Sequence, residues 1–270
     1  MLSFLVLSYP ATDPIAIEIG PLAIRWYSLA YIVGLILGWQ YIRLMSRRGL
    51  ISLDRKQIDD LLFWVAIGVI LGGRIGYSLF YKPGYYLSNP SEILMVWRGG
   101  MSFHGGLLGV AAAMVWFARR NKLPLLSLAD TVAVTVPIGL FFGRLANFIN
   151  GELFGRATDV AWAMHFPGGG ALPRHPSQLY EAGLEGLVLF AILAWLVWRA
   201  GALRRPGTVT GMFLMGYAIA RGLVELVREP DAHIGVLNIG LTMGQLLSVP
   251  MLAIGLYLIV RARRQPATAP

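Results

Sequence analysis

Long apolar runs, cut at intervals by short polar and basic segments, dominate the chain. Seven of these runs reach the roughly 20 helical residues that a bilayer crossing requires. They cover about 21–42, 58–80, 101–118, 127–149, 178–199, 209–228 and 240–260. The pattern predicts an all-α polytopic membrane protein, with seven transmembrane helices in one integral membrane domain over residues 1–270. The longest segment between spans, 150–177, holds Gly168-Gly169-Gly170 together with Pro167, Pro173 and Pro176, and reads as a small loop region. No fixed-period repeat is visible.

Composition strengthens this picture. The chain is 56% hydrophobic and 14% charged, with a mean hydropathy of +0.62. Soluble domains carry about 25% charged residues. A water-soluble domain and a disordered chain are both excluded. Cysteine is absent, so disulfides, thiolate metal sites and a cysteine nucleophile of the chain's own are excluded too. The net charge of +9 would suggest nucleic acid in a soluble protein. Here 14 of the 23 basic residues lie in alternate gaps: Arg43 to Lys56, Arg119 to Lys122, Arg199 to Arg205, and Arg261 to Arg264. The positive-inside rule makes those gaps cytoplasmic, with the N-terminus outside and the C-terminus cytoplasmic. The excess charge is a topology signal that also suits anionic membrane lipid, and no nucleic acid partner is expected. The first basic residue is Arg25, so no charged region precedes the first apolar run and no removable signal peptide is expected.

Ionisable groups inside spans are costly and mark function by default. With the alternating helix directions taken into account, Arg25, Tyr27, Arg74, His104, Arg144, Asn147, Glu181, Glu185, Arg221, Glu225 and Arg228 all fall in the outer halves of their spans. That convergence predicts a polar cavity open toward the outer leaflet. Tyr217, Arg221, Glu225 and Arg228 recur at helical spacing on one face. Gly72 and Gly76 form a small-xxx-small pair suited to close helix contact. Arg74 and Arg144 have no carboxylate three or four residues away, and the carboxylates are too few to neutralise every arginine. An anionic headgroup is then a natural counter-ion for the planar guanidinium fork. Two structural readings compete: Arg221 serves only to pair with Glu225, or the charges form a network that merely ties helices together. His104, between Gly99-Gly100 and Gly105-Gly106, is placed to move a proton. His175 stands before the fifth span and reads equally as a loop or cap residue. His165 and His233 carry no persuasive context. No residue pattern resembles a metal site, and none is expected.

The motifs are familiar in combination. Gly143–Arg156 (GRLANFINGELFGR), Gly72–Tyr77, the Gly100–Gly106 run, Arg174–Glu181 (RHPSQLYE) and the stretch from Tyr217 to Asp231 resemble the bacterial phosphatidylglycerol–prolipoprotein diacylglyceryl transferase family. The likeness runs from Ile24 to Gln245, with Ala146 where the signature usually has Gly, and with a short loop at 157–173. The resemblance implies transfer of the diacylglyceryl group of phosphatidylglycerol to the lipobox cysteine thiol of a prolipoprotein signal peptide. The products are a thioether and glycerol-1-phosphate, made without a cofactor at the bacterial inner membrane. It implies catalytic roles for His104 (thiol base), Arg144 and Arg221 (phosphate charge) and Glu225 (holding Arg221). Substrate contacts fall to Tyr27, Arg74, Asn147, Glu152, Tyr217 and His175. The alternative from the residues alone is an anion or lipid transporter with an Arg-lined outer cavity; no internal repeat favours it.

Overall fold

A computed structural model describes residues 7–10, 12–20, 22–230 and 240–267. Asp231 and His233 lie outside the described residues. The strands and first helices are β1 (Leu7–Ser8), β2 (Ile15–Ile19), β3 (Leu22–Arg25), α1 (Trp26–Arg47), α2 (Arg55–Phe80) and α3 (Pro83–Ser88). There follow α4 (Phe103–Arg120), α5 (Leu125–Ala133), α6 (Val136–Ile149), β4 (Met164–His165) and α7 (Ser177–Glu181). After α7 comes a π-helical stretch, Ala182–Val188, and then α8 (Leu189–Trp198), α9 (Thr208–Val224) and α10 (Met243–Arg263). Packing divides the chain into two units, Met1–Tyr41 with Asp130–Pro270, and Ile42–Ala129.

The chain is mostly helical, as expected, but not all-α. A β2–β3 hairpin precedes α1, and β1 runs parallel to β4 with Leu7 opposite Met164. The expected first span therefore gives up residues 22–25 to a strand, begins as a helix at Trp26 and runs on to Arg47. The fourth run is interrupted between α5 and α6. Pro137, in the first turn of α6, cannot donate the backbone bond that a continuous helix needs there. Among the described residues, four helical segments are long and apolar enough to cross a membrane: Trp26–Arg47, Leu125–Ile149, Ser177–Trp198 and Met243–Arg263. Thr208–Val224 is a shorter apolar helix. Phe63, Leu79, Leu108, Trp195 and Tyr257 each stand more than half exposed. In water that surface would be a heavy cost; against lipid tails it costs nothing.

In the first unit, α9 and α10 approach closely enough that a Cβ on Gly211 would lie 2.8 Å from the Gly255 carbonyl. Gly207 at the start of α9 has φ +97° and offers no side-chain cap of its own. Asp130, fully buried on α5, supplies one instead. Its carboxylate accepts from Gly207 N at 2.8 Å, Thr210 N at 2.8 Å and Thr210 Oγ1 at 2.6 Å. The start of α10 carries a capping box between Thr242 and Gln245.

In the second unit, Gly68, Gly72 and Gly76 of α2 face Gly105 and Gly109 of α4. A Cβ on Gly76 would sit 2.7 Å from Gly105 Cα, and one on Gly109 would sit 2.9 Å from Gly72 Cα. The small-xxx-small reading of Gly72 and Gly76 is thus realised as a backbone-to-backbone helix contact. A capping box, Asp54 with Gln57, starts α2, and Ser102 caps α4 through Gly105 N at 3.2 Å.

Candidate active site

Two helices and a helix end build the centre of the first unit. Glu181 closes α7, and the π-helical stretch after it widens each turn. Glu185, four residues on, therefore stays on the same side as Glu181. Both glutamates are fully buried. Arg144 reaches them from α6, with Nε 3.3 Å from Glu181 Oε2 and one Nη 3.3 Å from Glu185 Oε2. Arg221, in the last turn of α9, donates to Glu181 Oε1 at 2.6 Å and also pairs with Glu225. Arg228 donates to the same Glu181 oxygen at 2.8 Å, and its Nε stands 4.0 Å from Glu225. Electrostatic contact extends to Tyr217 from Arg144, Arg221, Glu181 and Glu185.

Three arginines thus meet three glutamates. The expected lack of a carboxylate partner for Arg144 is corrected: it finds its partners across the bundle, some forty residues away in sequence, instead of on its own helix. The inter-helix network that competed with the headgroup reading is present. It does not close the site, because the Arg144 and Arg221 side chains keep 16% and 14% of their surface exposed. The single helix face expected from Tyr217 to Arg228 is also corrected. α9 ends at Val224, Glu225 caps it, and a turn returns Arg228 to Glu181 while its backbone bridges Gly155.

Gly244, in the first turn of α10, stands against this cluster. A Cβ there would lie 2.7 Å from Glu225 Cδ and 3.0 Å from Arg221 Nε. Next to the cluster, Asn147 donates to Glu152 Oε1 at 2.8 Å, and Asn150 donates to the same oxygen at 3.2 Å. Gln178 holds the Glu152 carbonyl at 2.6 Å, and Ser177 holds the Leu153 carbonyl at 3.0 Å. Tyr27 pairs with Tyr31 across 3.3 Å, within electrostatic reach of Glu152 and Arg144.

The 150–177 segment is an ordered platform as well as a loop. Gly155 N donates to the His175 carbonyl at 2.8 Å, and Arg156 N to the Val227 carbonyl at 2.8 Å. His175 Nδ1 lies 3.2 Å from the Tyr180 hydroxyl, which accepts from Trp162 Nε1 at 2.6 Å. Burial holds the His175 imidazole below its ordinary pKa. These three rings line an apolar groove of about 300 Å³ with Leu184, Leu223, Val224 and Val227.

Arg74 and His104 belong to the second unit. Arg74 is buried, and its guanidinium is spent on backbone carbonyls: Ile93 at 2.9 Å, Glu92 at 2.7 Å, Gly100 at 3.2 Å, and Gly99. Four of its five N–H donors therefore shape the loop after α2. Gly99 and Gly100 have φ of +76° and +81°, which turns their carbonyls to this arginine. His104 is exposed in the first turn of α4, edge-on to Phe103 with ring centres 5.6 Å apart.

The structure therefore brings Arg144, Arg221, Glu225 and Tyr217 together, and sets Tyr27, Asn147 and Glu152 beside them. Sequence reasoning placed Glu181 and Glu185 in the predicted cavity but gave them no role of their own; they are the hub and a flank of the cluster. Gln178 and Gly244 entered only as members of motifs. The signal for the two glutamates was present, since two acids four residues apart inside an apolar run must face protein and not lipid.

Fold and site together define an integral membrane protein with a buried arginine–carboxylate centre. The family model for prolipoprotein diacylglyceryl transferase matches residues 14–261. A relative from Paramagnetospirillum magneticum named phosphatidylglycerol–prolipoprotein diacylglyceryl transferase is 58% identical over 265 residues, covering 97% of this chain and 98% of its own. Relatives of the same name from Rhodospirillum rubrum and Sinorhizobium medicae are 58% and 57% identical, each covering 98% of this chain and 97% of their own. The chain belongs to the prolipoprotein diacylglyceryl transferase family.

Proposed function

We propose that this chain transfers the diacylglyceryl group of phosphatidylglycerol to the lipobox cysteine of prolipoproteins, forming a thioether and releasing glycerol-1-phosphate. The observation that carries the reading is the cluster of Arg144 and Arg221, held on buried carboxylates yet partly open, in a chain with full-length relatives of that name. The carbon–oxygen bond to phosphate breaks as the carbon–sulfur bond forms. Negative charge grows on the leaving phosphate, and fixed guanidinium groups stabilise it without reorganising. Glu225 and Glu181 hold Arg221 in place for that task. Asn147, Glu152, Tyr27 and Tyr217 orient the headgroup. His104 takes the thiol proton, and His175 contacts the substrate from its groove. Arg74 acts on the loop it clasps and only through it on the substrate.

The same reading places seven spans in a bacterial inner membrane, with the N-terminus out, the C-terminus in and the site toward the outer leaflet. Reporter fusions after Arg48 and after Pro270 should report the cytoplasm, and one after Asp159 the outside. An external C-terminus would overturn this topology. The activity is tested with purified chain, a lipobox peptide and single lipids, read by mass spectrometry. Phosphatidylglycerol should support transfer, with glycerol phosphate released in equal amount. Phosphatidylethanolamine, whose ammonium meets the arginines, should support little or none. No mass increase with any lipid, from folded protein, would defeat the proposal.

A further inference from the structure

Among the described residues, two that are not glycine adopt left-handed backbone: Lys122 at φ +55° and Leu153 at φ +58°. A bulky side chain makes that conformation costly, so each calls for a cause. Lys122 has an ordinary one. It follows Asn121, the cap of α4, with Lys122 N donating to the Arg119 carbonyl at 3.3 Å and Leu123 N to the Ala118 carbonyl at 2.8 Å. Helices commonly end on a left-handed residue in this way. For α6 that place is already taken by Gly151, at φ +66°, with Gly151 N donating to the Phe148 carbonyl at 3.0 Å and Glu152 N to the Asn147 carbonyl at 3.1 Å. Leu153, two residues on, does nothing to end the helix. Burial does not hold it either, since it is 39% exposed.

Two side chains from the first turn of α7 hold it instead. Gln178 Nε2 donates to the Glu152 carbonyl at 2.6 Å, and Ser177 Oγ donates to the Leu153 carbonyl at 3.0 Å. Those carbonyls lie in the two rigid peptide planes that flank the Leu153 Cα, so neither of its soft dihedrals is free. Both donors are fully buried. Glu152 is fixed in the same way, by Asn147 through its N–H and by Gln178 through its carbonyl. Its Cα–Cβ bond therefore has one direction, and its carboxylate accepts from Asn147 at 2.8 Å and Asn150 at 3.2 Å. Ser177 and Gln178 stand four and three residues before Glu181, on the same face of α7. The turn is thereby registered against the hub of the arginine cluster.

We propose that Ser177 and Gln178 are positioning residues, which keep Leu153 left-handed and so aim the Glu152 carboxylate beside the arginine cluster. The strain at Leu153 is what that aim costs, in keeping with strained backbone at functional sites. The assignment rests on the reading of Glu152 as a headgroup contact; the hold on Leu153 does not.

The test is a kinetic series on the full-length chain in nanodiscs, with a lipobox peptide as acceptor, read by mass spectrometry at a temperature where the variants are folded. Ser177→Ala should lower kcat/KM for phosphatidylglycerol about tenfold, within the range for a misplaced contact, and leave KM for the peptide unchanged. In a Leu153→Gly background, where left-handed backbone carries no steric cost, Ser177→Ala should lower it much less. Single changes at this position should rank by tolerance of left-handed backbone, with Leu153→Gly and Leu153→Asn near wild type and Leu153→Val far below. This ranking decides the matter alone if Ser177→Ala fails to fold. A ranking by apolarity, with Leu153→Val the most active, would overturn the proposal. So would a Ser177→Ala defect equally deep in both backgrounds. Melting in phosphatidylcholine nanodiscs, without phosphatidylglycerol, checks the hold apart from the substrate: Ser177→Ala should lower Tm more in the wild-type background than in Leu153→Gly. That melting difference, in a chain that transfers nothing from any lipid, would sink the functional reading and leave the hold standing. Normal transfer without the melting difference would sink the hold and the proposal with it.

Discussion

Arginine is buried in both units, and the two units satisfy it in opposite ways. Arg74 in the second unit is wrapped by carbonyls from Glu92, Ile93, Gly99 and Gly100, with the Tyr86 ring 5.2 Å away. Arg144 and Arg221 in the first unit are held by carboxylates and keep an open edge. Carbonyls carry no charge to exchange, so an arginine spent on them fixes a shape. Carboxylates orient the guanidinium and offset its desolvation, while its remaining donors stay available to another anion. A buried arginine is therefore read by what its partners are, and burial alone does not separate scaffold from site.

The largest expected effect breaks this comparison on the site side. Arg144→Lys keeps the charge but cannot reach Glu181 and Glu185 with one planar fork. Transfer to a lipobox peptide should fall by roughly 100-fold or more, the usual scale for losing a transition-state donor. Circular dichroism should show the helices intact. Near wild-type turnover would place the phosphate elsewhere. The matching change in the other unit, Arg74→Lys, leaves buried carbonyls without donors and should cost about 2–4 kcal/mol of stability. Thermal unfolding should show a larger drop than for Arg144→Lys, while the surviving folded protein keeps its KM for phosphatidylglycerol. If Arg74→Lys raises KM at unchanged melting temperature, Arg74 touches the headgroup and the contrast between the units fails.

A smaller effect sharpens the role of carboxylate geometry. Gly244→Ala would press a methyl on Glu225 and Arg221, costing about 1–3 kcal/mol as overpacking does. Displacing these groups by a fraction of an ångström should lower kcat about tenfold, within the known sensitivity to misplacement. Gly222→Ala, in open space on α9, should change stability by no more than about 0.5 kcal/mol and serves as the control. Equal behaviour of the two variants would show that the cluster tolerates movement.

Much of the scaffold was legible because a bilayer imposes a coarse rule, long apolar runs, that side-chain types obey. The helices from Trp26, Arg55, Phe103 and Met243 follow it to within a few residues. The strand at Leu22–Arg25 was missed because its apolar residues run without a break into α1, and its partner Ile15–Ile19 is short and mixed. At the site, spacing exposes neighbours on one helix, so the Arg221–Glu225 pair was visible while the links from Arg144 to Glu181 and Glu185 were not. The partners of Arg74 were hidden for a different reason. They are backbone carbonyls, and no residue type announces a carbonyl. The Gly99-Gly100 pair, noted in the sequence only as flanking His104, is used to aim those carbonyls.

The smallest expected effect concerns the platform beside the cluster. Burial depresses the pKa of His175, so the folded imidazole resists the proton that the unfolded chain accepts near pH 6.5. Between those two values the unfolded state binds more protons, and stability rises with pH. Above about pH 6.5 both states are neutral and the term is constant. As pH falls below that value, stability is lost until the folded imidazole also protonates. The residue is partly exposed, so solvent screening keeps the loss under about 1 kcal/mol. Thermal unfolding at about pH 7.5 and about pH 5.5, on either side of the ordinary imidazole pKa, should show a lower melting temperature at acid pH. His175→Gln should flatten part of that slope, because an amide does not titrate. The Tyr180 hydroxyl would lose its Nδ1 partner in this variant, which lowers stability at both pH values alike and leaves the slope as the diagnostic quantity. A slope unchanged by His175→Gln would assign the acid sensitivity to other groups and detach His175 from the pH response of the platform.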